Sequence, residues 1–443
     1  MCILIIQILK MKKKNLLAVV LCCISIFASS GQSGRQNKFG LHNQINAGVN
    51  IHFTTGHEKD LDMIAAAGIK YIRMDFVWHN IERTKGVYDW SAYDELTSNL
   101  NRRGLRALYI LDYSNQLYEP EVDSKDPLTG EVQRGIAAPC HPESVEAFAK
   151  WAAKAAERYK ESNVVWEIWN EPNITFWRPV PDINQYITLA FATCRAVRAA
   201  DPDAIIIGPA TSQIPLPFIE SFLASGILEY LDAVSVHPYR DYSLSPETAI
   251  TDYEKVNELI KLYTPPGKNH IPIISSEWGY ASATKGIPQE TQAAYIVRMQ
   301  LANLFYGIPL SVWYDWKNDG NEPGNFEHNC GTVTSDLKPK PAYTSIYTMN
   351  SELKGYTLFE RIDLKSKNDF LLLFRNEKGT CKLAGWTLGQ RHSVIIERNI
   401  PEVANSTARD SKGNELKLKT DQERLILDLT DQPQYITLKC FPE

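Results

Sequence analysis

Eight short, nearly continuous apolar runs recur between residues 47 and 314, and stretches of helical periodicity separate them. They span 47–52, 70–76, 106–111, 164–169, 204–208, 233–237, 272–276 and 310–314. A strand covered on one face alternates apolar with polar residues. A continuous run calls for cover on both faces, as in parallel strands crossed by helices. The clearest helix runs over 142–160, where Val145, Phe148, Ala149, Ala152, Ala155, Ala156 and Tyr159 mark one face. Another is predicted over 289–306, ending at Gly307 and Pro309, and Gly68 closes the first. Eight strand–helix units predict an α/β fold, a (β/α)8 TIM barrel.

The pattern changes near Leu353. Phe370–Phe374, Val394–Ile396 and Leu425–Leu429 are short apolar runs separated by turn signals such as Glu377-Lys378-Gly379, and they predict a small antiparallel β-sandwich. The expected organisation is therefore a signal peptide over 1–30, a barrel over 31–353 and a β-sandwich domain over 354–443. The export signal rests on Lys12-Lys13-Lys14 ahead of the run from Leu16 to Phe27 and the small residues Ala28-Ser29-Ser30-Gly31. Translation could start at Met11, and an uncleaved anchor is the alternative reading. The exported chain would be periplasmic, on the outer surface or secreted, with no membrane contact beyond the signal.

Without residues 1–30 the net charge moves from −5 to −9, which argues against nucleic-acid partners. Five cysteines remain, Cys140, Cys194, Cys330, Cys381 and Cys440, an odd number with no CxxC spacing. A Cys381–Cys440 bridge is possible but spacing does not establish it. No metal and no cofactor are expected, because His52 and His237 are too isolated to anchor a ligand cluster.

Two of the apolar runs end in glutamate, Val164-Val165-Trp166-Glu167-Ile168-Trp169-Asn170-Glu171-Pro172 and Ile273-Ile274-Ser275-Ser276-Glu277-Trp278-Gly279. Strand ends of one polarity meet at the barrel mouth, so Glu171 and Glu277 can face each other there. Two facing carboxyls, one ionised and one protonated, are what glycosidic cleavage needs. Glu167 lies mid-strand and is expected in a buried ion pair or facing a helix.

Trp-Asn-Glu-Pro after the fourth strand and Ser-Glu-Trp-Gly after the seventh resemble clan A of the glycoside hydrolases. The chain looks most like the family 39-like enzymes, with some family 5 character. Arg73 in Tyr71-Ile72-Arg73-Met74-Asp75, the stretch from Trp78 to Arg83 followed by Gly86-Val87-Tyr88-Asp89, His237-Pro238-Tyr239 and Trp313-Tyr314-Asp315-Trp316 add to the likeness. The resemblance implies a retaining enzyme with a carbohydrate substrate, Glu171 as acid/base and Glu277 as nucleophile. That division of roles requires a raised pKa at the first and a low one at the second. Arg73 would keep Glu277 ionised and Tyr239 would hydrogen-bond it. Asn170 would bond the sugar 2-hydroxyl, His237 would orient the site, and Trp316 would floor it, with Trp313 as rival. Trp78 and His52 are candidates for the cleft wall or for packing, and Asp319 and Asn329 are candidate substrate contacts. Residues 112–139, after the third strand, are the expected cleft wall. A carbohydrate-binding barrel without activity is the alternative function, and a metal-dependent barrel enzyme is a weaker third. The sugar, its linkage and internal or terminal cleavage stay open.

Overall fold

Eight parallel strands close into a barrel: β1 (Ala47–Asn50), β2 (Tyr71–Val77), β3 (Arg106–Asp112), β4 (Val165–Ile168), β5 (Ile205–Ser212), β6 (Ala233–His237), β7 (Ile273–Trp278) and β8 (Ser311–Trp313). The computed structural model describes residues 36–41, 43–125, 130–396, 406–421 and 424–439. The segment read as an export signal and Cys440 lie outside them. A helix follows each strand: α1 (Glu58–Ala66), α2 (Ser91–Arg102), α3 (Pro142–Tyr159), α4 (Ile183–Ala200), α5 (Leu216–Ala224), α6 (Ile250–Tyr263), α7 (Gln289–Phe305) and α8 (Pro341–Glu352). The predicted (β/α)8 architecture is thus present. No helix among the described residues is long and apolar enough to cross a membrane.

Strand alternation sorts the barrel interior into layers. Tyr71, Leu108, Ile110, Val165, Ile205, Ile207, Ala233, Ile274, Leu310 and Val312 form one apolar cluster with Phe39. Two residues further along the same strands, the same parity brings Arg73 above Tyr71, Asp112 above Ile110, Glu167 above Val165 and Ser235 above Ala233, all buried. The interior is therefore greasy at one end and polar at the mouth. β5 runs four residues beyond its predicted end, past Pro209, and pairs with β6 through a register shift after Ser235.

The C-terminal strands are antiparallel and form two sheets. One holds β9 (Thr357–Arg361), β10 (Asp369–Arg375), β11 (Thr380–Thr387), β13 (Thr407–Arg409), β14 (Glu415–Leu416) and β17 (Gln434–Lys439). The other holds β12 (His392–Ile396), β15 (Lys419–Asp421) and β16 (Arg424–Leu429). Leu371, Leu373, Leu383, Leu425, Leu427 and Ile436 fill the space between them. The opposite face of the larger sheet, with Phe370, Leu372, Phe374, Ala384, Trp386 and Tyr435, joins the core of the barrel helices. Cover on both faces explains why Phe370–Phe374 is a continuous apolar run. At this junction Arg298 of α7 donates from Nε and Nη2 to the two oxygens of Glu247, each at 2.8 Å, and Trp386 Nε1 donates to the same carboxylate at 2.9 Å.

Candidate active site

Arg73 is the hub of the mouth. It is fully buried, and its guanidinium is divided among four partners on or just past β4, β6 and β7. Nε donates to Glu167 Oε2 at 2.7 Å, Nη1 to Glu277 Oε2, and Nη2 to Asn170 Oδ1 at 2.9 Å and His237 Nε2 at 3.2 Å. A guanidinium only donates, so His237 accepts through Nε2 and carries its proton on Nδ1. That nitrogen faces Glu171 Oε1 at 2.9 Å. Tyr239 donates its hydroxyl to Glu277 Oε1 at 2.8 Å, so both oxygens of Glu277 are held.

The turn after β4 sets Glu171. Trp169 and Glu171 both take left-handed backbone angles, φ 66° and 50°, which non-glycine residues rarely adopt. The conformation is fastened from outside. Glu171 N donates to Ala210 O at 2.9 Å, and Asn173 exchanges two hydrogen bonds with the Ser212 backbone at 2.9 and 3.0 Å. The extension of β5 past Pro209 is thus what anchors the glutamate loop. On the other side, a Cβ on Gly279 would stand 1.9 Å from the Tyr314 carbonyl oxygen. The glycine that follows Glu277 and Trp278 therefore admits the β8 backbone.

One oxygen of Glu171, one of Glu277 and a ring nitrogen of His237 lie within 4.8 Å of one another. Burial opposes ionisation of Glu277. The Arg73 guanidinium, with hydrogen bonds from Tyr239 and Arg73, outweighs it and holds the carboxyl below the ordinary glutamate range.

A cleft of about 390 Å³ opens onto this centre, lined among others by Asn50, Asp75, Tyr113, Phe176, Tyr314 and Glu327. Arg73, Asn170, Glu171, Tyr239, Glu277 and His52 line it too, and His237 sits directly behind. His52 is 39 % exposed, bonds Asp319 at 3.1 Å, and lies 3.8 Å from Asp315. Burial opposes its charge, but Asp319, Asp315 and Asp75 push its pKa up to about 9. Asp319 thus reaches the cleft through His52.

Three expected contacts sit elsewhere. Trp316 is buried and donates Nε1 to Asp60 on α1 at 2.9 Å; its rival Trp313 is also buried, bonded to the Cys330 carbonyl at 3.2 Å. Tyr314, between them in sequence, supplies the aromatic wall instead, because residues after β8 turn in opposite directions. Trp78 lies in the core stacked on Tyr118, with Nε1 donated to Glu82 at 2.6 Å. Asn329 spends its amide on the Glu322 and Asn325 carbonyls, holding its own loop. Of the described residues in 112–139, only Tyr113 lines the cleft; the paired strands 121–125 and 132–136 bond the β4–α4 loop through Ser124 instead. Glu167 forms the buried ion pair expected of it.

Among the described residues, three groups of acid, histidine and cysteine side chains have a spacing that a cation could bridge: Glu171–His237–Glu277, His52–Asp315–Asp319 and Glu119–Cys140–His141. In the first, both imidazole nitrogens already face hydrogen-bond partners. In the third, Glu119 caps α3, accepting from the backbone of Cys140 and His141 and from Ser144 Oγ.

With this geometry in view, the comparisons with known proteins have a physical counterpart. Residues 36–320 match the sequence model of the family Cellulase (glycosyl hydrolase family 5). The chain belongs to this family. Within the clan A glycosidases it is family 39-like. It is 26 % identical to a family 39 glycoside hydrolase from the gut symbiont Bacteroides cellulosilyticus WH2, with a TM-score of 0.76 over 90 % of this chain and 81 % of that one. A GH39 β-xylosidase from Caulobacter crescentus shares the fold at a TM-score of 0.64, with 17 % identity over 92 % of this chain and 97 % of that one. A β-xylosidase from Geobacillus stearothermophilus is 25 % identical over 260 residues, 52 % of this chain and 49 % of that protein. The chain thus spans about half the length of the curated relative it matches.

Proposed function

We propose that the protein is a retaining glycoside hydrolase, with Glu277 as nucleophile and Glu171 as acid/base. The observation that carries this reading is the approach of the two carboxyls to within 4.8 Å, on the two sides of His237 and Arg73. Retaining enzymes set their carboxyls about 5–5.5 Å apart, whereas inverting ones leave about 6.5–9.5 Å for a water. The charge pattern supports the same division. Arg73 and Tyr239 hold both oxygens of Glu277, which favours the anion and fixes its orientation. Glu171 has one oxygen tied to His237, which leaves the other free to protonate a glycosidic oxygen.

In the first step Glu277 attacks the anomeric carbon while Glu171 gives its proton to the leaving oxygen. In the second, Glu171 takes a proton from a water that attacks the anomeric carbon from the face the leaving group vacated, opposite Glu277, and Glu277 departs as a carboxylate. Asn170, fixed between Arg73 and Tyr113, is placed to bond the 2-hydroxyl. We place this activity after export, on the strength of the basic and apolar N-terminal sequence.

Two relatives are named as β-xylosidases, so aryl β-xylosides lead the substrate panel, beside other aryl β-glycosides, α-L-arabinofuranosides and intact polysaccharides. The test is turnover with NMR of the anomer first released. A retained anomer supports the proposal, an inverted one overturns the mechanism, and silence across the panel overturns the activity.

A further inference from the structure

The mouth holds a second pair of carboxyls that this mechanism does not use. Asp75 follows Arg73 at the same parity of β2, and its carboxyl lines the cleft. Asp112, at the end of β3, lies behind it and is fully buried, and among the described residues no hydrogen-bond donor reaches either of its oxygens. Asp112 has only the Asp75 carboxyl to meet, so the two share a proton, and burial raises both, Asp112 well above the usual range. Asn50, on the neighbouring strand β1, lines the same corner, and its buried Oδ1 has no partner. Buried acceptors of this kind are costly in a fold unless something completes them.

The groups facing Asp75 come from every neighbouring strand end: Arg73 from β2, Asp112 and Tyr113 from β3, His52 from beyond β1, and Glu277 from β7. Arg73 is already committed to Glu167, Glu277, Asn170 and His237, and His52 to Asp319. Among the described residues the corner therefore holds carboxyls in excess of cations, with Arg73 and His52 both already paired with acids, and Glu327 and Asp315 add acid along its β8 side.

We propose that Asp75, backed by Asp112 and flanked by Asn50, is a specificity-determining residue. It reads a hydroxyl of the sugar bound at the nucleophile, and it makes the site select an uncharged glycone over a uronic acid. A hydroxyl can donate to Asp75 or to Asn50 Oδ1, whereas a second carboxylate would add negative charge beside Asp75, Glu277 and Glu327, where Arg73 and His52 are already paired with acids. This inference rests on the glycosidase reading and names the substrate class of that site.

The experiment uses the full chain, its best aryl glycoside, the monodeoxy analogues of that substrate and the matching uronide. In the wild type one deoxy analogue should lose about 10- to 100-fold in kcat/KM, as expected for a hydrogen bond to a charged group. Asp75→Ala should lower kcat/KM for the parent sugar by a similar factor and erase the penalty for that one analogue. Asp75→Asn, nearly isosteric, serves as the second variant and should narrow the preference for the neutral sugar over the uronide. A merely structural role would scale all substrates alike. Turnover in which every deoxy penalty survives in both variants, or in which the wild type cleaves the uronide as fast as its neutral counterpart, overturns this inference alone. Silence of the wild type on every glycoside overturns the proposed activity and this inference with it.

Discussion

Two buried arginines divide the molecule into a region built for chemistry and a region built for cohesion. At the junction of barrel and β-sheets, Arg298 gives both arms of its fork to one carboxylate, Glu247, and Trp386 completes that carboxylate. At the mouth, Arg73 spreads its donors over Glu167, Glu277, Asn170 and His237. The first arrangement neutralises one charge and closes on itself. The second uses one cation to orient four groups while leaving acid in excess around it. Burial is equal in the two regions, so it is the sharing of the donor that separates a functional arginine from a structural one.

The sharpest way to break this comparison is Glu277→Ala. Turnover should fall to background, azide should restore it as a glycosyl azide of inverted anomeric configuration, and the melting temperature should move little. Next comes Glu171→Ala, which should cost about 10²- to 10⁴-fold on substrates with poor leaving groups and far less on activated aryl glycosides. Arg73→Lys keeps the charge but not the fork, and a point charge cannot serve four acceptors. Here kcat should drop about 100-fold, with a measurable loss of stability, because the same residue serves both purposes. Arg298→Met should do the converse. It strands Glu247 and should cost about 3–5 kcal/mol in denaturant titration, with kcat per folded molecule unchanged. If Arg298→Met instead abolished catalysis in folded protein, the division into two regions would be lost. The smallest effect concerns His52, whose folded pKa is raised to about 9 by Asp319, Asp315 and Asp75 against the opposing effect of burial. Its stabilisation is full below the ordinary histidine value of 6.5 and is lost as pH rises through about 9. Melting temperatures of wild type and His52→Gln should therefore converge over that interval.

The strands and helices were legible because doubly covered strands leave continuous apolar runs and their helices a 3.6-residue stripe. The four residues that extend β5 carried no such signal, since Pro209 and the polar Thr211 and Ser212 read as a loop, and only the fastening of Asn173 shows why they stay extended. Glu171, Glu277, Asn170, His237 and Tyr239 could be placed because each sits at or just past a strand end beside a motif, and Arg73 because it lies within one on β2. Trp316 was misplaced, and Trp78 left open between cleft and packing, because a tryptophan a few residues past a strand can turn inward or outward, and packing against Asp60 or Tyr118 decides the direction. Asp75 and Asp112 had a usable signal that apolar-run reading overlooks. Alternation along β2 gives Asp75 the face of Arg73, and that along β3 aligns Asp112 with Leu108 and Ile110. Phe176 had none, because it enters the cleft from a loop, whereas Tyr113 was covered only by the broad expectation for 112–139.

The larger C-terminal sheet is covered on both sides, by its partner sheet and by the barrel helices. Phe370, Leu372, Phe374 and Trp386 therefore belong to the same core as the helices that surround the catalytic strands. A chain ended after Leu353 would uncover an apolar band on α7 and leave Arg298 and Glu247 without their tryptophan lid. For anyone trimming, fusing or shuffling this protein, the point where topology changes is thus a poor place to cut. The barrel and the larger sheet share one core.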